Sequence, residues 1–145
     1  MERVRPELWP CPLCGRRFAN RNQSHACGRH DLGHHFEGKS AKIRAIYDAF
    51  VALLEENGPL IILPEKSRIA FQVRMSFAQL TMRREWVLGH LVLARRAESP
   101  LFTRVETFSP RNHLHAFRLD DPARVAALRP FAKEAYAVGR QDHLA

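Results

Sequence analysis

RIAFQVRMSFAQLTMRREWVLGHLVLA, residues 68–94, is the stretch on which the fold turns. From Arg68 to Phe77 the side chains alternate. Ile69, Phe71, Val73, Met75 and Phe77 fall on one face, and Arg68, Gln72, Arg74 and Ser76 on the other. A period of two is the signature of a strand with one buried face. Gln79–Arg83 reads as a further strand that turns at Arg84-Glu85. Trp86–Ala94 is apolar on both faces, which places it in the middle of a sheet.

Outward from this stretch the pattern stays regular. Leu60–Leu63 is a short apolar run. Phe102–Phe108 and His113–Leu119 read as a hairpin around Ser109-Pro110-Arg111-Asn112. Upstream, Ile43, Ile46, Tyr47, Phe50, Val51 and Leu54 recur at helical spacing behind Ser40, an N-cap residue type, and Gly58-Pro59 stops the run. A helix over about 41–57 follows. Downstream, Asp121-Pro122 starts a second helix, Pro130 is expected to kink or split it, and Gly139 ends it. The expected fold class is α+β: an antiparallel sheet of about five strands, a meander with an N-terminal and a C-terminal helix on one face.

Residues 1–38 differ from the rest. They are rich in Arg, Asn, Gly, His and Cys, and short of the aliphatic residues that build a core. They contain CPLCGRRFANRNQSHAC, residues 11–27. Two thiols two residues apart can clamp one tetrahedral ion from a tight turn, and a second pair of ligands ten to twelve residues on closes the site. Cys11, Cys14 and Cys27 are the expected zinc thiolates. His25 is favoured as the fourth ligand, with His30, His34 and His35 also within reach. A redox Cys-x-x-Cys would need a strand before it and a helix after it, and a catalytic zinc would need an open position. One structural Zn2+ that orders a head at 1–38, ahead of an α+β domain at 39–145, is therefore the expectation.

The opening Cys-Pro-x-Cys-Gly-Arg-x-Phe resembles C2HC-type zinc fingers, in which an aromatic placed like Phe18 packs beside the metal. The second half departs from that pattern, because a single residue separates His25 from Cys27. Taken with HHFEGK (34–39), SRIAFQVRMSFA (67–78) and EAYAVG (134–139), the motif resembles a family of small bacterial proteins of unknown function. That resemblance implies a zinc head leading into an α+β domain, with no activity to carry over.

The chain has 145 residues and a formal net charge of +8, with arginine far in excess of lysine. Guanidinium forks suit phosphate and carboxylate, so a nucleic acid or another polyanion is the expected partner. Arg16, Arg17 and Arg21 in the head, and Arg68 and Arg74 on the polar strand face, are the expected anion contacts, with Gln72, Arg104 and Lys66 nearby. His90, His113 and His115, with Glu106, are candidates for a second metal or acid–base site. No phosphate-cradling glycine loop, nucleophile elbow or spaced carboxylate pair is present, so an enzyme is not the first expectation. One alternative is a small-molecule or enzymatic cleft using Arg74, His90 and His115, with the zinc purely structural. Another is a protein adaptor that docks through its head. No apolar run reaches membrane length, no signal-peptide core opens the chain, and clustered thiols suit a reducing compartment, so a cytoplasmic location without membrane contact is expected.

Overall fold

A computed structural model describes residues 7–12, 16–19 and 31–144. Two short strands, β1 (Trp9–Pro10) and β2 (Arg17–Phe18), pair antiparallel as a small hairpin. A 3-10 helix at Leu32–Phe36 leads into α1 (Ala41–Glu55). The sheet strands are β3 (Ile61–Pro64), β4 (Ile69–Gln72), β5 (Ser76–Met82), β6 (Val87–Leu93), β7 (Phe102–Ser109) and β8 (Asn112–Leu119). A 3-10 helix at Pro122–Leu128 and α2 (Arg129–Gly139) follow. The α+β class holds. The sheet has six strands rather than five, in the order β3-β4-β5-β6-β8-β7, every neighbouring pair antiparallel.

Two expectations are corrected. The predicted strand Arg68–Phe77 is two strands: the chain reverses between Gln72 and Ser76, which face each other across the turn. Alternation hid the reversal because no Gly, Pro or Asn marks it. The turn is held from outside instead. The backbone N–H groups of Arg74 and Met75 both donate to the carbonyl of Gly139, at 2.9 and 3.1 Å. A helix C-terminus has carbonyls to spare, and here one of them organises a hairpin. The simple meander is also wrong. After β6 the chain skips a position, forms edge strand β7, and returns as β8 beside β6.

Pro130 splits the C-terminal helical region as expected, between the 3-10 helix and α2. Asp121 caps the first part by accepting from the Ala123 N–H at 2.8 Å. Ser40 occupies the N-cap of α1 without a side-chain cap bond.

Both helices cover one sheet face. Ile43, Ile46, Phe50 and Leu54 of α1, and Ala132, Ala135 and Tyr136 of α2, join Ile69, Phe71, Leu80, Val87, Leu91 and Phe117 in one core. Each fully buried large apolar side chain contributes about 1.5–3 kcal/mol. Phe50 stands edge-on to Phe71, with ring centroids 5.4 Å apart. Tyr136 donates its hydroxyl to the Pro59 carbonyl at 2.6 Å, tying α2 to the connection after α1.

Gly89 on β6 is required by this layer. A Cβ there would lie 2.6 Å from Cζ of Phe117 and 2.7 Å from Cδ2 of Leu80. Both atoms belong to the packed core, so Gly89→Ala is expected to cost about 1–3 kcal/mol of stability. A lower denaturant midpoint at unchanged m-value checks this, and an unchanged midpoint would show that the core yields freely.

Candidate functional site

The sheet face away from the helices carries the polar chemistry. Pairing partners share a face, so the register builds rows across it. One row runs Ala70–Gln79–His90–Ala116–Arg104 over five adjacent strands. The next row runs Thr81–Leu88–Arg118. Ala116 is the small member between two long side chains, and the dip it leaves is a pocket of about 200 Å³ lined by Gln79, Thr81, Leu88, His90, Thr103 and Arg104, among others. Thr103 closes one side by donating its hydroxyl to the Ala116 carbonyl at 3.3 Å.

Gln79 and Thr81 also line a second, wider hollow of about 530 Å³. Its other walls are His34, His35, Lys39, Lys66, Ser67, Arg68 and Arg83. The two hollows therefore meet along β5 and form one trough. Lys39, Lys66 and Arg83 have no carboxylate partner among the described residues. Arg68 and Arg104 each meet a carboxylate through Nε, with Glu65 at 3.2 Å and Glu106 at 2.9 Å.

His90 lies between these two arginines. Burial, then the positive charges of Arg68 and Arg104, push its pKa down to about 4, so the ring is neutral at pH 7. The Gln79 amide nitrogen can only donate, so its 3.1 Å contact makes His90 Nδ1 the acceptor and leaves the ring proton on Nε2.

The expected second histidine site is not assembled. His90 pairs with Ala116, whereas His115 pairs with Leu91, so the two histidines face opposite sides of the sheet. His115 is fully buried on the helix side, edge-on to Phe102. Its Nδ1 donates to the His113 carbonyl and its Nε2 accepts from the Ala97 N–H, both at 2.9 Å. It thereby pins the connection between β6 and β7. His113 donates from Nε2 to the Pro110 carbonyl and accepts from the Thr107 hydroxyl, which locks the β7–β8 turn. No group of three potential metal ligands forms among the described residues.

The remaining expected residues separate. Arg68 is in the trough. Arg74 sits past the other end of β4, its Nε bonded to Gln141 at 3.0 Å. The Arg74–His90–His115 cleft is therefore not assembled. Gln72 is buried under the head hairpin and donates to the Arg17 carbonyl. Arg16 reaches the Pro64 carbonyl at 3.5 Å. Cys11 is buried at the end of β1, and its N–H donates to the Arg16 carbonyl at 2.7 Å, closing the hairpin. Cys14, Arg21, His25, Cys27 and His30 lie outside the described residues. His34 meets Glu37 at 3.2 Å, and His35 donates Nε2–H to the Glu65 carbonyl at 2.7 Å.

Lys39, Gln79, Thr81, Arg83 and Ala116 were not singled out by the sequence. Gln79 and Thr81 carried a usable signal, since they alternate with Ala78, Leu80 and Met82. Ala116 carried none.

A family model for a domain of unknown function, DUF5655, matches residues 32–139, from the first 3-10 helix to the end of α2. The chain belongs to the DUF5655 family. No curated protein and no solved structure matches it. The DUF5655 match takes in every strand and helix that builds the trough and leaves the β1–β2 hairpin outside it. Among the described residues, no helix is long and apolar enough to cross a membrane.

The neutral histidines make stability pH-dependent. Burial also lowers the pKa of His115 and of His143. A histidine with a folded pKa below its unfolded value binds more protons when unfolded, so stability is full above about pH 6.5 and falls as pH drops towards 4. Tm is expected to fall between pH 6.5 and 5, with a shallower slope in His90→Gln. Equal slopes in the two proteins would show that His90 titrates normally.

Proposed function

We propose that this chain is a non-catalytic binding protein that holds the phosphate backbone of a nucleic acid in the basic trough, with a zinc-stapled head at its side. One observation carries the reading: Lys39, Lys66 and Arg83, none with a carboxylate partner among the described residues, line one hollow with Arg68. Several cations elsewhere are paired. Arg44, Arg95, Arg124, Arg129 and Arg140 each meet an Asp or Glu. Charge left without an internal partner in a concave site attracts polyanions from a distance and releases their counterions on contact.

The head supports the reading through Cys11. It is buried, and its backbone N–H donates to the Arg16 carbonyl, a frame that suits the first thiolate of a knuckle completed by Cys14, His25 and Cys27. Arg16 and Arg17 on the same hairpin lie against the β3–β4 end of the sheet, where Arg21 would extend the basic surface. A reducing cytoplasm would keep those thiols available to zinc.

Binding to a single-stranded oligonucleotide is expected to weaken as salt rises. In a Lys39→Ser, Lys66→Ser, Arg83→Ser variant the log–log slope should be smaller by about 0.7 for each phosphate that the variant no longer neutralises. Salt-independent binding, or a slope the triple variant does not change, would remove the trough from this role. Elemental mass spectrometry should find about one zinc per chain, lost in Cys11→Ser. Folded, reduced protein without zinc would end the zinc reading.

A further inference from the structure

The pocket over Ala116 has a chemistry distinct from the wide trough it opens into. Its floor is apolar, made by Leu88 and Ala116, and its walls are hydrogen-bond donors. Two strand spacings of about 4.8 Å separate the strands that carry His90 and Arg104. An oxygen-rich group resting on Ala116 can thus reach both walls. Arg104 and Arg68 meet their carboxylates through Nε, and their terminal guanidinium nitrogens have no partner among the described residues. Gln79 fixes the His90 tautomer so that Nε2–H is the donor left for a ligand.

The charge balance favours an anion despite Glu65 and Glu106. Arg68 and Arg104 both depress His90 protonation, and neither carboxylate offsets them at the ring. Burial first, and these two charges after it, keep the ring neutral. The histidine donates its Nε2–H without adding a charge of its own, and an arriving anion offsets the guanidinium charges that help to hold it neutral.

We infer that the Gln79–His90–Ala116–Arg104 pocket binds a phosphate monoester, with Arg104 as the guanidinium clamp, His90 Nε2–H as the neutral donor facing it, and Arg68 on the adjoining wall of the wide hollow. A guanidinium in the pocket with a second on the adjoining wall matches a dianion better than the single charge of a carboxylate or of a phosphodiester linkage. Phosphodiesters suit the wide trough, and the narrow pocket at its side suits a chain end or a free mononucleotide. The inference rests on the trough reading only for where the phosphate comes from.

The test uses the full chain and inorganic phosphate, at ionic strength balanced with chloride. Saturating phosphate is expected to shift the His90 ring proton resonances and raise its titration midpoint, because the bound anion offsets Arg68 and Arg104. Ala116→Leu fills the dip on the open face, and Arg104→Gln removes the clamp. Each should weaken phosphate binding about tenfold or more while circular dichroism stays native. A 5′-phosphorylated oligonucleotide binding tighter than its 5′-hydroxyl form, with the difference lost in Ala116→Leu, would assign the phosphate to a strand end. Equal affinity of the two, with a free mononucleotide bound, would assign it to a small molecule. No His90 shift with phosphate, or a shift unchanged in Ala116→Leu and Arg104→Gln, would overturn the inference. Trough binding is read from Lys39, Lys66 and Arg83, so either proposal can fail without the other.

Discussion

A single carbonyl organises this molecule. The oxygen of Gly139, at the end of α2, receives the backbone N–H groups of Arg74 and Met75 and so fixes the reversal between β4 and β5. Without that reversal residues 68–77 would run as one strand, and Gln79 would not come to lie opposite Ala70. The row from Ala70 to Arg104 begins from that register, and each later pairing carries it one strand further. The last turn of the C-terminal helix therefore helps to set the alignment of the polar face on the other side of the sheet. The two amides would otherwise be exposed loop donors, and the carbonyl an unmet helix end.

The net charge of +8 is unevenly distributed in effect. On the helix side most arginines are tied to carboxylates: Arg129 to Glu56 and Arg95 to Glu134 bridge separate elements with two hydrogen bonds each. Those pairs are exposed and add little to stability, but they cancel the far field of their layer. The sheet side keeps Lys39, Lys66 and Arg83 together in one hollow without such partners among the described residues. Arg118 is used differently, stacked over Trp86 at 4.5 Å.

Periodicity made the element types legible. It read Ile43–Leu54 as a helix, Trp86–Ala94 as a central strand and Asp121–Gly139 as a helix broken at Pro130, because each depends on local spacing and local turn chemistry. The β4–β5 reversal was not legible, since its cause lies more than sixty residues away at Gly139. The site was half legible. Arg68 and Arg104 were noticed as cations of the polar sheet face, and both flank His90. Grouping His90 with His113 and His115 failed on parity: the β6–β8 register sets His115 opposite Leu91, and no single strand contains that information. Residues as plain as Ala116 become meaningful only once their neighbours across the sheet are known.

The insertion of β8 between β6 and β7 also bears on how the chain assembles. Pairings β3–β4, β4–β5, β5–β6 and β7–β8 each join consecutive strands through short connections. The β6–β8 pairing alone must close over an intervening strand. Such a closure gains nothing until both partners exist, so the natural sequence is a preformed β7–β8 hairpin, its turn locked by His113, arriving whole at the edge of β6. His115 then accepts the Ala97 amide, and that buried hydrogen bond latches the long β6–β7 connection onto β8.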